Sequence, residues 1–520
     1  MGFGCISHVH QVNSSKSSFA RNRLVGKGAP EEKTGGVVRQ TDVAIVGCGP
    51  VGAMLANLLG LQGIDTVVLE REAAIFDLPR AVHFDDEVMR LLQTVGLAEA
   101  MRPLVHVSPG MRFVDAAGRL LLDWSRPLDI GPQGWNVSYR FHQPELEQVL
   151  RSGLRRWPCV TLMTCVDVHA AEPDADGVMV RFEDLRSGAL AGLRARYVVG
   201  CDGARSLVRR LIGASMEDLG FDERWLVVDA LLRRPRPDLG DYTLQHCDPI
   251  RSATYVRGTG DRRRWEIAVL PDEDTAAITE PASVLRLLSR WVTPDEVTLE
   301  RAVVYMFHAT IASGWRSGRL LIVGDSAHQT PPFLGQGLCA GMRDAGNLAW
   351  KLRRVLRGAD ADSLLDSYET ERSPHVREYI DLAVRLGGLI NTKAMESVVS
   401  RDVLAGNEVA RMSSIKPSLG PGLGAGWTGQ RGRVAPQPVL ADGRRMDDAI
   451  GYRFAVVIRD DLVAAAGDLL GGRDIAVVSD AAYGGWLEAM GAIAVVVRPD
   501  RYVFGAARDF DELRAALVGI

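Results

Sequence analysis

The run Gly47-Cys48-Gly49-Pro50-Val51-Gly52 has the spacing of a loop that cradles a dinucleotide pyrophosphate. In such a loop the first glycine permits a tight strand-to-helix turn, the second lets the backbone approach the phosphates, and the third lets helix and strand pack closely. Glu70 lies 18 residues beyond Gly52, at the end of the next apolar run, and Arg71 follows it. A carboxylate there can accept hydrogen bonds from ribose hydroxyls. Asp202-Gly203 closes the run Val199-Gly200-Cys201; alone it reads equally well as an ordinary Asp-Gly turn. Gly324-Asp325-Ser326-Ala327-His328 ends another apolar run and leads into Pro331-Pro332-Phe333-Leu334-Gly335-Gln336-Gly337-Leu338. Asp325 is placed to hold a polyol or ribose hydroxyl. Gly335 and Gly337 open a second helix, whose amide-rich N-terminus favours an anion.

These residues need elements to hold them. Residues 42–46 form a short apolar run ending in glycine, as a buried parallel strand does. Residues 51–61 have helical spacing and 66–69 form a second strand, completing a β-α-β unit of about thirty residues. Residues 110–125 and 176–202 alternate around glycine turns and predict hairpins. The runs 225–232, 252–257, 264–270 and 298–308 predict an antiparallel sheet set into an α/β protein. A buried strand is predicted over 319–324 and long helices over about 341–357 and 363–390. Residues 416–437 are rich in Gly and Pro. Beyond them, strands are predicted at 454–458, 475–478 and 493–497, and helices at 462–470 and 509–518. Residues 1–40 show no hydrophobic period and no signal-peptide core, and read as a flexible extension or an over-long start.

The chain of 520 residues is long enough for two to four domains. With 61 Lys+Arg against 65 Asp+Glu, its net charge of −4 excludes a polyelectrolyte that grips nucleic acid or a membrane by bulk field. No apolar run reaches the length of a transmembrane helix. Seven scattered cysteines without a C-x-x-C fit neither a disulfide framework nor a zinc site, so a reducing cytoplasm and no metal are expected.

The three motifs, in this order and spacing, resemble those of the FAD-dependent aromatic hydroxylases, the class A flavoprotein monooxygenases, over about residues 41–390. Within that family the pattern is most like the 3-(3-hydroxyphenyl)propionate hydroxylase branch. The run from Pro79-Arg80-Ala81-Val82-His83 to Glu87, the run 335–352 and Tyr368-Glu369-Thr370-Glu371-Arg372 carry this resemblance. It implies an α/β fold: a Rossmann-like FAD-binding domain with an inserted, mainly antiparallel substrate sheet, and a C-terminal thioredoxin-like domain. The implied limits are an extension at 1–40, FAD-binding segments at 41–215 and 311–410, a substrate sheet at 216–310, a linker at 411–437 and the thioredoxin-like domain at 438–520. No cysteine follows Cys339, so thiol redox work is excluded from that last domain, and a structural or dimerisation role is expected; a homodimer is left open.

The resemblance also implies roles. Gly47, Gly49, Pro50, Gly52, Glu70 and Arg71 would hold the ADP half of FAD, and Arg80 and Gln143 would line the flavin. Asp202 would support both FAD and passage of the nicotinamide donor. Gly324 and Asp325 would meet the ribityl or ribose region, with Pro332, Gly335, Gly337 and Leu338 beside the isoalloxazine. NADH or NADPH would reduce FAD, O2 would add to give a flavin C4a-hydroperoxide, and a phenolic ring would be hydroxylated ortho to its hydroxyl. The phenol-deprotonating base stays open among His83, His308, a tyrosine and water; Pro332 is counted with His83 at the reacting centre, and His328 is read as support for its loop. Arg251, Arg257 and Arg262–Arg264 are candidates for a substrate carboxylate or plain surface, and Met306 and Phe307 for a pocket wall or core. An FAD-dependent oxidoreductase of the same superfamily acting on a polycyclic or other natural product, with or without oxygen insertion, is the alternative.

Overall fold

A computed structural model describes residues 39–391, 399–423, 430–518 and 520. The predicted extension therefore lies outside the described residues, except that the first strand, Arg39–Val46, begins three residues before the expected 42–46.

That strand is central to an eight-stranded sheet. It pairs in parallel with Thr66–Glu70 on one side and Ala189–Gly200 on the other, which in turn pair in parallel with Val160–Thr164 and Leu320–Ile322. Val43, Ala44 and Ile45 are fully buried, as strands covered on both faces require. The helices Pro50–Leu61 and Gly337–Leu356 pack against each other. The second begins earlier than the expected 341, because Gly337 itself opens its first turn.

A second sheet has nine strands. Ser215–Leu232, Arg262–Ala268, Ala253–Arg257 and Val297–Ser313 pair antiparallel, as their alternation predicted. The sheet does not stop at 216–310. Its strand Thr243–Cys247 pairs in parallel with Gly110–Asp115, so the hairpin Gly110–Ser125 joins it, and His328–Gln329 closes the far edge. Pairing between segments about 130 residues apart leaves no trace in local periodicity. A separate three-stranded ribbon is formed by Ser138–Arg140, which pairs with His83–Asp85 and His106–Val107.

Residues 454–507 form a four-stranded sheet: Phe454–Ile458 runs parallel to Ile475–Val478 and antiparallel to Ala494–Val497, which pairs antiparallel with Val503–Ala507. The helix expected at 462–470 is only a 3-10 turn, Asp460–Leu462, and a single turn, Gly467–Leu470, since Gly467, Gly471 and Gly472 disfavour a longer one. In the expected linker, Leu419 and Gly420 bond to Gly432 and Glu371.

Candidate active site

The dinucleotide loop is built from close backbone contacts. Gly47 has φ +98°, and a Cβ on it would lie 2.5 Å from the carbonyl oxygen of Cys201. A Cβ on Gly52 would lie 2.2 Å from the carbonyl oxygen of Gly47, whereas one on Gly49 would meet nothing within 4 Å. Two glycines are thus demanded by packing and the middle one borders open space. Pro50 occupies the first helical turn, where no N–H partner is lost. Glu70 accepts from the Cys48 amide at 2.6 Å and from the Glu72 amide at 2.9 Å, so it anchors the loop. Arg151 donates to the Cys48 carbonyl at 2.9 Å and stands 4.0 Å from Glu70. Sequence reasoning missed Arg151; Gln143, Glu147 and Arg151 recur at every fourth position, one helix face, which was the available signal. Arg71 is exposed and pairs with Glu72.

Asp202 does not stand free. Its carboxylate accepts from Ser206 at 2.5 Å, from the Leu207 amide at 2.6 Å and from Ser326 at 3.0 Å, tying the loop beneath Gly47 to the Gly324–Ser326 turn. Asp325 differs: its side chain is exposed and accepts no hydrogen bond from any described residue. The surrounding protein pushes its carboxyl upward, and His328 and Arg80 oppose that. His328 donates or accepts at 2.6 Å with the buried Asp344, which Arg372 also holds at 2.8 Å, so it supports the loop as expected.

Pro332, Gly335, Gly337 and Leu338 are all half-buried at the start of the helix Gly337–Leu356. Gly335 has φ +63°, and a Cβ there would press on the ring of His83 at 2.9 Å. His83 Nδ1 lies 3.1 Å from the Gly335 carbonyl, while Nε2 faces Arg126 at 2.9 Å and Ser138 at 3.0 Å. Burial, then Arg126 and Arg140, hold its pKa well below the usual histidine range. A neutral ring donating from Nδ1 and accepting at Nε2 has no nitrogen left for a substrate proton. The expected candidacy of His83 as base is thus corrected: it braces the Gly335 turn. His308 is exposed and paired with Asp222.

Gln143 accepts from the Arg80 and Ala81 amides at 2.9 and 2.8 Å, which fixes the chain entering the His83 strand; the Arg80 side chain is exposed. Val82 lines a cleft that Phe141, His142, Arg262 and Arg263 also border and His83 does not. Of the other candidate arginines, Arg251 pairs with Glu273, Arg257 with Asp241 and Arg264 with Asp229. Phe333 touches Phe221 and Trp225, each at 5.5 Å, and Phe307 stacks on Trp225, so an apolar wall adjoins the Pro332 loop; Met306 is exposed.

Two helix N-termini therefore approach one another: Val51 of the first packs on Gly324 and Gly341 of the second motif. The open face at Gly49 and the unpaired Asp325 carboxylate fit a pyrophosphate and a polyol. These are the features of a dinucleotide-binding α/β protein. A family model described as "FAD binding domain" matches residues 40–383. A probable NADH-specific resorcinol 4-hydroxylase of Rhodococcus jostii is 38% identical, covering 91% of this chain and 93% of its own. A 3-(3-hydroxy-phenyl)propionate/3-hydroxycinnamic acid hydroxylase of Mycobacterium avium is 36% identical, covering 88% and 81%. The chain belongs to the FAD-dependent aromatic hydroxylases. Its fold is that of the flavin-dependent monooxygenase PieE, solved with FAD and substrate (TM-score 0.76, 22% identity, 92% of this chain and 98% of that one). No helix among the described residues is long and apolar enough to cross a membrane.

The buried contacts of Asp202 carry a prediction. Asp202→Ala is expected to lower stability by about 1–3 kcal/mol, the range for orphaning buried donors, and to weaken FAD retention through Gly47. Asp202→Asn, which keeps one acceptor oxygen, should do less; urea unfolding and flavin content of the purified proteins measure both.

Proposed function

We propose that this protein uses NADH and O2 to hydroxylate a single-ring, meta-substituted phenol ortho to its hydroxyl. The observation that carries the reading is the meeting of the two motifs at Val51, Gly324 and Gly341, with open space at Gly49 in the one and an unpartnered Asp325 in the other. The substrate class rests on the two relatives, named for resorcinol and for 3-hydroxyphenylpropionate, both rings with a hydroxyl meta to the second group. NADH rests on the first of them.

When bound, FAD supplies the oxygen-activating redox chemistry. The chain's own residues do the rest. Gly47, Gly49, Pro50, Gly52 and Glu70 hold the ADP half, and Asp325 accepts from the polyol. Arg80 and Gln143 shape the approach to the flavin. Pro332, Gly335, Gly337 and Leu338 border the ring, with the N-terminus of Gly337–Leu356 favouring negative charge there by about 0.3–2 kcal/mol. Phe333, Trp225 and Phe307 exclude water from one side. The C-terminal block is proposed to be thioredoxin-like, supported by its strand order and its parallel-then-antiparallel pairing. A cytoplasmic location is supported by the absence of any disulfide among six described cysteines.

Purified holoprotein should oxidise NADH faster when resorcinol or 3-(3-hydroxyphenyl)propionate is added, and oxygen-18 from O2 should enter the product. Stimulated oxidation with no label in the organic product would favour chemistry without oxygen insertion and overturn this reading.

A further inference from the structure

We propose that Arg126 and Arg140 form a buried anion subsite that binds the ionised hydroxyl oxygen of the aromatic substrate beside the Gly335 turn; the inference rests on the hydroxylase reading above. Arg126 follows the strand Leu120–Ser125 and is 8% exposed, and Arg140 ends the strand Ser138–Arg140 and is 3% exposed. Arg126 donates to Ser138 at 2.7 Å and to His83 at 2.9 Å, lies over the Trp124 ring at 4.6 Å, and leaves its Nε without a partner. Arg140 donates to Thr243 and likewise leaves Nε unpaired. Neither forms an ion pair with a described acid.

The acids around them are already committed. Asp85 is held by Arg343 at 2.5 Å and caps Val88. Asp86 is pushed up to about 7 by burial and by its neighbours Asp85 and Glu87. Glu266, across from Arg140, leans on Arg264 at 3.9 Å and is pushed up by burial. Cys339 and Tyr379, which also face Arg126, are raised by burial and stay neutral. Burial, then Arg126, pulls Arg140 down to about 9, and burial pulls Arg126 down as well; Asp85 and Glu266 oppose these shifts from a distance, but no acid pairs directly with either guanidinium. Two such buried cations are costly unless an anion completes them.

The position selects the anion. Arg126 touches His83, and His83 touches the Gly335 carbonyl, in the loop assigned to the flavin ring. In ortho hydroxylation the reacting carbon is bonded to the carbon that bears the phenol oxygen. That oxygen must therefore lie near the flavin, whereas a side-chain carboxylate lies farther out. On binding, the phenol O–H bond breaks heterolytically, its proton passes to water, and both guanidiniums keep their own protons.

Ultraviolet difference titration of the oxidised holoprotein with resorcinol and with 3-(3-hydroxyphenyl)propionate tests this. The bound phenolate band is expected about one pH unit or more below that of the free phenol, a tenfold or greater shift in proton affinity. Arg126→Gln and Arg140→Gln should move the band back toward the free value and lower kcat/KM about tenfold, with the loss shrinking as pH rises toward the phenol's own ionisation. Arg126→Lys should restore part of both; a purely structural defect would depress activity evenly with pH. Wild-type binding with an unshifted phenol pKa overturns the proposal whatever the variants do. So does a wild-type profile in either Gln variant that retains FAD. A loss confined to the carboxylated substrate would make this a carboxylate site and also overturn it. Failure of every phenol to stimulate wild-type NADH oxidation would instead sink the hydroxylase reading.

Discussion

Gly49→Asp is expected to fold normally and to purify with little or no FAD. Gly49 has φ −69° and ψ −176°, ordinary extended backbone, and a Cβ there meets nothing within 4 Å. The protein therefore has no reason of its own to reject a side chain. A dinucleotide does, because the second glycine of the loop is where backbone and pyrophosphate come closest. Two unit charges 4 Å apart repel by about 4 kcal/mol at an effective dielectric near 20. Even halved by solvent, that leaves about 2 kcal/mol, roughly a thirtyfold loss of affinity before any steric cost. Flavin absorbance per mole of protein, with far-ultraviolet circular dichroism for the fold, measures the result. Full flavin occupancy in a folded variant would remove the loop from the cofactor site. Gly52→Ala is the contrast: its Cβ would lie 2.2 Å from the Gly47 carbonyl, so it should lower the melting temperature as well as the flavin content.

That contrast marks what is legible in a sequence. The glycine loop, the Asp202 turn and the Pro332–Gly337 run are each local, and their chemistry follows from residue type and spacing. Val82 precedes the strand His83–Asp85, so strand alternation does not decide its direction: Val82 lines the cleft, and His83, the first residue of the strand, meets the Gly335 carbonyl. Which of the two sides holds substrate is a tertiary fact. Arg126 stands in a segment with no motif, and only the pairing of His83 with Arg140 and the hairpin's entry into the second sheet bring the two guanidiniums together. The roles of Glu70 and Asp202 were readable as acids near a nucleotide. That their oxygens grip backbone amides was not, because those bonds depend on how the loops close. Glu371 was recognisable within a run that carries the family resemblance, yet one of its partners, Arg498, lies 127 residues away in the C-terminal block.

Glu371→Gln is expected to destabilise the protein by about 3–5 kcal/mol, the cost of stripping one partner from a buried ion pair. Glu371 is 1% exposed and accepts from Lys351 at 2.7 Å, from Arg498 at 2.8 and 2.9 Å, and from Asn347 at 2.9 Å. Asp500 holds the other side of Arg498 at 2.6 Å. Two cations and two anions thus balance across the contact between the helix Gly337–Leu356 and the block that follows residue 437. The Gln variant leaves a buried excess of one positive charge. Trp350, on the same helix, packs on Phe454 at 5.4 Å, so loosening this contact also exposes apolar surface. The pH dependence has a definite sign. Burial alone would raise the Glu371 carboxyl, but Arg498 and Lys351 hold it well below the usual glutamate range. A depressed acid contributes stability above its unfolded pKa and loses it as pH falls through its folded one. The wild type should therefore weaken in acid where the variant does not. On the alkaline side, burial brings Lys351 down to about 8 even with Glu371 present, and removal of Glu371 lowers it further, so the variant relieves its excess charge by shedding that proton. The stability gap should be widest just above the ordinary glutamate range, shrink in acid as the wild type weakens, and shrink on the way up to about pH 8 as the variant alone sheds the Lys351 proton. Urea unfolding of both proteins across that range decides it: equal stability at neutral pH, or a gap that ignores pH, would show that this ion cluster does not fasten the C-terminal block to the flavin helix.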